Sequence, residues 1–408
     1  RPEWFYHPDE DSKVKTVPQL MDLYYNSIGR NGSLLLNFPI MPNGLIHPTD
    51  EKMALEFGKA VKESFAVNLV GKAKAEASDV RGNVKSSGAA KAIDGNNETF
   101  WATNDSITNA SLIIDLASPT LFNRFMAQEY IRLGQRVKTF TVEALVDGNW
   151  QEVTKATTIG YKRIIRFPSV KATKVRFTIT DSKSCPVISN IGIYNAPVFL
   201  NTPSIARNQL GEVTLTSNDI GPIFYYTIDG SEPTTKSNMF SGPFLADGKL
   251  EIKAIAYDPA SDKSSPVGGE KFDISKKEWK IVGINDEKAS TILDGNTSTV
   301  WHKRGDKIMP FDLVIDLGNK FNVSGFKYLP DQNKWSSGII TNYQFYISEN
   351  NMKWILVDEG EFSNIKNNPV WQIKNFTPVN ARYIKLKAYK NTRGDDVAGY
   401  AEIDVITN

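Results

Sequence analysis

"ILDGNTSTVW", Ile292 to Trp301, repeats a turn already present as "AIDGNNETFW", Ala92 to Trp101. The shared pattern, Asp-Gly-Asn-x-x-Thr-x-Trp, does not recur alone. "LIIDL" (112–116) is answered by "LVIDL" (313–317), "FTVEALVDGNW" (140–150) by "YQFYISENNMKW" (343–354), and "ATKVRFTI" (172–179) by "NARYIKLKA" (380–388). The blocks keep one order at a period far longer than a solenoid unit, so they mark two copies of a whole domain. Within each copy, short alternating apolar runs lie between Gly, Asn, Asp and Pro turns, the pattern of a β-sandwich. The tryptophans that close the two turns, Trp101 and Trp301, are expected in the cores.

Outward from the repeat, the chain changes texture twice. Between the copies, "IFYYTIDGSEPT" (223–234) and "LEIKAIAY" (250–257) predict a smaller all-β unit, with Asp229-Gly230 as a hairpin signal. Before residue 70 the pattern is helical. Thr16-Val17-Pro18-Gln19 has capping-box spacing, and Val17, Leu20, Met21, Tyr24, Tyr25 and Ile28 follow at helical intervals toward Gly29 or Gly32. "SLLLNFPI" (33–40) reads as a strand buried on both faces. Pro42, Asn43 and Gly44 form a loop, and a second helix starts near Thr49 or Asp50, with Met53, Phe57, Val61 and Phe65 on one side. Helix, buried strand and helix are a piece of a parallel α/β fold. A complete eight-stranded α/β barrel needs about 250 residues, so the front of this domain is expected before residue 1. The expected class is multidomain: a partial α/β (TIM-like) barrel remnant at 1–69, then mainly-β domains at 72–196, 197–276 and 277–408.

Composition narrows function. Of 408 residues, 40% are hydrophobic and 11% aromatic, ample for several cores. The 48 Lys+Arg and 46 Asp+Glu leave a net charge of +2, which argues against nucleic acid as a partner. No apolar run approaches the roughly eighteen residues of a membrane span. The single cysteine, Cys185, excludes an internal disulfide framework. Three histidines, His7, His47 and His302, lie far apart in sequence and support no histidine metal cluster or triad.

The motifs carry resemblances. Through Asp-Gly-Asn-x-x-Thr-x-Trp, Ile-Asp-Leu and the closing Arg-aromatic or Arg-Tyr-Ile strand, 72–196 and 277–408 each resemble the discoidin, or coagulation-factor type C, sandwich, which includes carbohydrate-binding module family 32. Through "YYTIDGSEPT" and "IKAIAY", the middle unit resembles the immunoglobulin-like (Ig-like) C-terminal domain of chitobiases and hexosaminidases. Through "RPEWFYHPDED", "LMDLYYNSIGRNGSLLLNFPI" and "NGLIHPTD", residues 1–69 resemble the end of the catalytic barrel of α-L-fucosidases of glycoside hydrolase family 29.

The fucosidase resemblance implies a retaining, exo-acting enzyme working through a covalent fucosyl-enzyme. Such enzymes need two carboxylates about 5–5.5 Å apart. In that family they come from barrel strands before "RPEWFYHP", so none is expected here and this chain alone is expected to be inactive. The local acids Glu3, Asp9, Glu10 and Asp11 read as a solvated turn. Trp4, Tyr6, His7 and Asn37 are candidate pocket walls, placed where barrel enzymes put active-site groups. The alternative reading is that Trp4 and Tyr6 pack between barrel and loop while Asn37 caps a turn.

The Asp-Gly-Asn turn offers oxygens only, at flexible spacing, which suits Ca²⁺. It also reads as a plain turn in which Asp bonds its own backbone. The discoidin resemblance implies a structural calcium held in the second copy by Asp294, the Asn296 carbonyl, Thr299, the Thr291 carbonyl and Glu402. The first copy keeps Asp94, Asn96 and Thr99, but Asn190 answers Glu402, so calcium there is expected to be weaker or absent. For sugar binding, an aromatic platform and planar polar groups are required. The second copy offers His302, Arg304, Asn333 and Trp335, with Tyr400 as a late-loop aromatic. Gln128–Val137 of the first copy is expected to pack structurally.

The leading expectation is therefore the C-terminal part of an α-L-fucosidase acting on fucosylated glycans, periplasmic or secreted in a bacterium. Two readings stay open beside it: a non-catalytic glycan-binding or adhesion protein, and another glycosidase sharing the accessory modules.

Overall fold

In the computed structural model, which describes residues 1–333 and 335–408, the repeated blocks form two sandwiches of one design. Each is organised by a long bent strand, Ala110–Glu129 in the first and Phe311–Leu329 in the second. A second long strand, Arg163–Ser182 or Gln372–Asn391, pairs along both halves of it. On its other edge the neighbours change midway. The first half pairs with Lys74–Ala77 or Lys280–Val282, and the second half with Val187–Tyr194 or Glu402–Thr407.

The change occurs where the Ile-Asp-Leu block ends. Register breaks between Asp115 and Thr120, and again between Asp316 and Phe321. Asp115 Oδ1 accepts from Ala117 N–H and Asp316 Oδ1 from Gly318 N–H, each at 2.9 Å. Both donors sit at positive φ, 66° and 80°. A side chain that caps the backbone two residues on, followed by a left-handed residue, makes the kink that lets one strand serve two neighbours. Alternation then sends Leu112 and Ile114, or Leu313 and Ile315, fully inward. Trp101 and Trp301 lie in these cores as expected, their indole N–H groups donating to the Asp79 carbonyl and to Asp286 Oδ2.

The described residues divide into two compact units. One comprises Arg1–Asn201, Asn218–Pro222 and Tyr257–Ser265; the other comprises Thr202–Ser217, Ile223–Ala256 and Pro266–Asn408. The segment 197–276, expected as one spacer, is shared between them.

In the first unit, helix α1 (Val17–Asn26) and helix α2 (Pro48–Ser64) appear where the spacing predicts. Gln19 Oε1 accepts from Thr16 N–H at 2.9 Å, closing the start of α1. Met53, Phe57, Val61 and Phe65 pack with Tyr24 around Met21, Tyr25 and Ala60. The far wall of this cluster is the first sandwich, through Met126, Ile164 and Tyr194. Tyr25 is the most engaged residue. Its hydroxyl accepts from Arg124 Nε at 3.0 Å, and the guanidinium groups of Arg124 and Arg166 lie 5.1 and 4.9 Å from its ring centre. Arg166 pairs with Asp22 of α1. Arg124 is buried with no carboxylate partner among the described residues, and burial pushes its pKa down. The Tyr25 hydroxyl and ring are what compensate that buried charge. Further along, Ile164 N–H donates to the Gly29 carbonyl at 2.9 Å and Arg30 bridges to Arg163, so the segment after α1 joins the edge of the long strand.

Two expectations fail here. Ser33–Ile40 is extended but is not a buried strand: Leu35 is 85% exposed, and only Ile40 bridges, to Ile46. A strand needs a neighbour to accept its N–H groups, and among the described residues no backbone pairs with 33–39. Asp229-Gly230 is not a tight hairpin either. Asp229 Oδ1 accepts from the N–H and Oγ of Ser231, Gly230 N–H donates to the Glu251 carbonyl, and Ile223–Thr227 pairs with Asn238–Met239 instead. That strand still contributes to a small core, in which Phe224, Tyr226, Phe240 and Phe244 surround Val213, Leu215, Ile252 and Ala254. No helix among the described residues is long and apolar enough to cross a membrane.

Tyr25→Phe removes one hydroxyl and leaves a buried guanidinium short of an acceptor. It is expected to lower unfolding free energy by about 1–3 kcal/mol in denaturant titration. Tyr161→Phe, at an exposed site, is expected to change it by less than about 0.5 kcal/mol.

Candidate functional site

Three places collect the residues singled out above. The first is the Asp-Gly-Asn turn. In both copies the aspartate bonds its own backbone: Asn96 N–H donates to Asp94 Oδ1 at 2.9 Å, and Asn296 N–H to Asp294 Oδ1 at 2.7 Å. Thr99 Oγ1 sits 2.9 and 2.8 Å from the two Asp94 oxygens, and Thr299 Oγ1 sits 3.1 and 3.0 Å from those of Asp294. Each threonine hydroxyl also reaches the Asn96 or Asn296 carbonyl, at 3.0 and 2.8 Å.

The copies diverge at the strand behind the turn. Asn190 faces Gln128 in the register where Glu402 faces Leu329, so the two are equivalent positions. Glu402 is 1% exposed; its Oε1 accepts from Gly295 N–H at 2.6 Å and its Oε2 from Lys276 Nζ at 2.6 Å. Burial pushes the Glu402 carboxyl up to about 7, with Lys276 opposing and the Asp294 carboxylate adding to the rise. Two carboxylates thus converge on one point with one ammonium beside them. In the first copy Asn190 donates to Asn97 Oδ1, no second carboxylate arrives, and Lys91 sits 3.3 Å from Asp94. Enclosure raises the Asp94 carboxyl, but the bonds from Asn96, Thr99 and Lys91 win and hold it below the usual range. The Thr291 carbonyl accepts from Asp294 N–H at 3.5 Å, closing the base of the second turn. Among the described residues no cluster of three or more His, Cys, Asp or Glu side chains forms, so any cation here would depend on carbonyl and hydroxyl oxygens as well.

The second place is one end of the second sandwich. The strand Trp301–Arg304 pairs with Val397–Tyr400, so Trp301 points into the core while His302 and Arg304 share the outer face. His302 Nε2 lies 3.4 Å from Ser336 Oγ and 3.7 Å from Asp331 Oδ2. Burial and then the charge of Arg304 hold its pKa down, against Asp331. Asn333 builds the neighbouring turn: its N–H donates to Asp331 Oδ1, and its Oδ1 accepts from Trp335 N–H at 3.1 Å. Trp335 is carried outward, 72% exposed. The structure therefore brings His302, Asn333 and Trp335 together, with Arg304 one residue pair further along the strand.

Sequence reasoning missed Arg393, which donates to the Trp335 carbonyl at 3.2 Å, and Asp395, which accepts from Ser337 Oγ. Only the turn composition of "NTRGDD" pointed to them. Tyr400 is a correction. It is fully buried and stacks on Trp301 at 6.2 Å, because its strand position faces inward opposite that tryptophan. In the first copy only the ends of Gln128–Val137 pack: Gln128, Glu129 and Val137 are buried, Glu129 accepting from the N–H groups of Arg136, Val137 and Gly160, while Ile131 to Gln135 are exposed.

The third place is the amino-terminal segment. Trp4 and Asn37 line a hollow of about 320 Å³, and Asn37 Nδ2 donates to the Trp4 carbonyl at 2.6 Å. Tyr6 faces elsewhere, bonding Asp11 at 3.3 Å and stacking on His47. His7 is exposed; its carbonyl accepts from Arg1. The acidic turn is not wholly solvated: Asp11 pairs with Arg1, which Asp50 also holds, and Glu10 is buried and accepts from Glu3 N–H.

Comparison with known proteins adds names to these parts. The F5/8 type C domain family matches residues 73–191 and 251–403, and the chitobiase/beta-hexosaminidase C-terminal domain matches 207–268. The chain is 33% identical over 198 residues to alpha-L-fucosidase 1 of Arabidopsis thaliana, covering 48% of this chain and 39% of that protein. It spans no more than about two fifths of the curated fucosidase relatives it matches. Among solved structures, a GH29 fucosidase of Ruminococcus gnavus in complex with fucose is 34% identical over 48% of this chain and 39% of its own, with a TM-score of 0.45. A glycoside hydrolase 29 family member from an unknown rumen bacterium is 30% identical and covers 100% of this chain and 53% of its own, with a TM-score of 0.40.

The two turns provide a matched test. Gly95 and Gly295 share φ near 75° (74° and 75°), but a Cβ at Gly95 meets open space while one at Gly295 strikes the Arg207 carbonyl. Gly95→Ala is expected to cost about 1 kcal/mol from the left-handed backbone alone. Gly295→Ala is expected to cost at least about 2 kcal/mol more, read from the denaturation midpoints of the two variants.

Proposed function

Since this chain belongs to the F5/8 type C domain family over more than half its length, we propose that its sandwiches are the accessory part of a glycoside hydrolase. The whole protein is an exo-acting, retaining α-L-fucosidase that removes terminal α-L-fucose from glycans. The observation that carries this reading is the length of the fucosidase match: 198 residues cannot be confined to the segment 1–69. The relative therefore shares more of the chain than that segment.

The amino-terminal segment supports it. Leu35, Ile40, Leu45, Trp4 and Phe5 are all exposed on a helix–extended–helix unit, which is the surface that neighbouring barrel strands would cover. The segment is the end of the catalytic barrel. The nucleophile and general acid belong to the part of the barrel outside residues 1–408; of the acids here, Asp11 and Asp50 are tied to Arg1 and Glu10 is buried. Trp4 and Asn37, with Tyr6 and His7 behind them, form pocket wall.

The second sandwich binds glycan at its Trp335 end. The exposed indole offers an apolar face to a sugar ring, and His302, Arg304 and Asn333 offer hydrogen bonds to hydroxyls. The Asp294 turn holds a structural Ca²⁺ through Asp294, the Asn296 and Thr291 carbonyls, Thr299 and Glu402. The donor set fits a hard cation, and convergent carboxylates with a raised Glu402 support the need for one. The ion would supply charge neutralisation that ties the turn to the last strand. The first copy, with Asn190, holds calcium weakly or not at all. Sugar modules and bound calcium suit a periplasmic or secreted bacterial enzyme.

A second reading, a glycan-binding protein without catalysis, draws on the exposed Trp335 end. Hydrolysis of p-nitrophenyl α-L-fucoside separates the two. The protein carrying the complete barrel is expected to release nitrophenol and residues 1–408 to release none; no release by either favours the second reading. Trp335→Ala is expected to weaken glycan binding roughly tenfold without changing nitrophenyl fucoside hydrolysis. Saturating Ca²⁺, at about 100 times its dissociation constant, is expected to stabilise the second unit by roughly 2.7 kcal/mol, a gain seen in the melting temperature and abolished by Glu402→Gln.

A further inference from the structure

The two sandwiches use one face in opposite ways. In the first, Met126 pairs in register with Ile164 and Gly192, and this row is buried under α1 and α2. The equivalent row in the second is Ile373, Lys327 and Asp404, since Lys327 pairs with both of the others. An apolar row built to be covered has become a row with a cation and an anion. Trp371, just before the strand Gln372–Asn391, lines the same hollow as Ile373. Both remain open, at 36% and 55% exposure.

This face is not bare surface. The strand Gly268–Phe272 and the residues near Ser204 roof it, enclosing a hollow of about 590 Å³ bounded on one side by the Asp294 turn. Glu270 hangs from that roof. Its carboxylate makes no side-chain hydrogen bond or ion pair among the described residues, and neither does the Lys327 ammonium. Partial enclosure pushes the Glu270 pKa up, and Lys327 offsets only part of that. Glu270 is exposed and Lys327 half-buried, so two uncommitted groups of opposite sign stand open to a ligand beside an indole and an isoleucine in a cavity of ligand size.

We infer that this hollow is a second saccharide site, taking one neutral hexose or N-acetylhexosamine ring on Trp371 and Ile373, with Glu270 and Asp404 accepting from its hydroxyls and Lys327 donating to one. With Glu270 and Asp404 as the acceptors, a neutral ring is the expected ligand. The site is separate from Trp335 and does not depend on the fucosidase reading.

Calorimetric titration of the Trp335→Ala protein with D-galactose, N-acetyl-D-glucosamine and L-fucose tests this. At least one neutral probe is expected to bind saturably. Adding Trp371→Ala should weaken that binding at least about tenfold, and adding Glu270→Gln should weaken it by roughly threefold to tenfold. Trp371 is on the surface, so its removal leaves the fold intact, which circular dichroism checks. Absence of saturable binding by all three probes overturns the inference. So does binding that survives Trp371→Ala, or N-acetylneuraminate binding that Trp371→Ala removes.

Discussion

A carboxylate bonded to the backbone N–H two residues on, Asp115 in one sandwich and Asp316 in the other, sets the point where a long strand kinks and changes neighbours. Everything else in each sandwich is placed from that point. The first half of the strand aligns with a short edge strand, the second half with the last strand, and the other long strand follows both. The second bend is also clasped from across the sheet, where Arg382 grips Asp316 with two bonds of 2.9 Å; the first has only Lys174 at 3.4 Å from Asp115. A bidentate guanidinium holds geometry more tightly than a single ammonium.

A shared scaffold with diverged faces explains how two copies serve different ends. Where the first copy presents Met126, Ile164 and Tyr194, helices settle and Tyr25 becomes a wedge between two guanidinium groups. Where the second presents Lys327 and Asp404, no helix packs and a hollow remains. Substituting a glutamate by Asn190 at the end of one strand removes the carboxylate that converges on the turn in the other copy. A few positions, not the fold, separate the roles.

Much of this was legible in the sequence because it is local. The repeated blocks, the helical spacing from Val17 to Phe65 and the buried tryptophans depend on periodicity and burial, which residues express within a short window. What escaped depends on distance. Tyr400 looked like a loop aromatic until pairing with Trp301 turned it inward. Lys276 beside Glu402, and Arg393 beneath Trp335, come from segments far apart in the chain. "SLLLNFPI" carries the composition of a buried strand, yet no described residue pairs along 33–39, and composition cannot supply the neighbour.

That run is where the account is most exposed to test. If residues 1–69 complete a barrel, the amides of Leu34–Phe38 gain ladder partners only when the rest of the barrel is present. Hydrogen–deuterium exchange of these amides, compared between residues 1–408 and the protein carrying the whole barrel, measures this directly. The account predicts rapid exchange in the shorter chain and protection by several orders of magnitude in the longer one. Equally rapid exchange in both would contradict it.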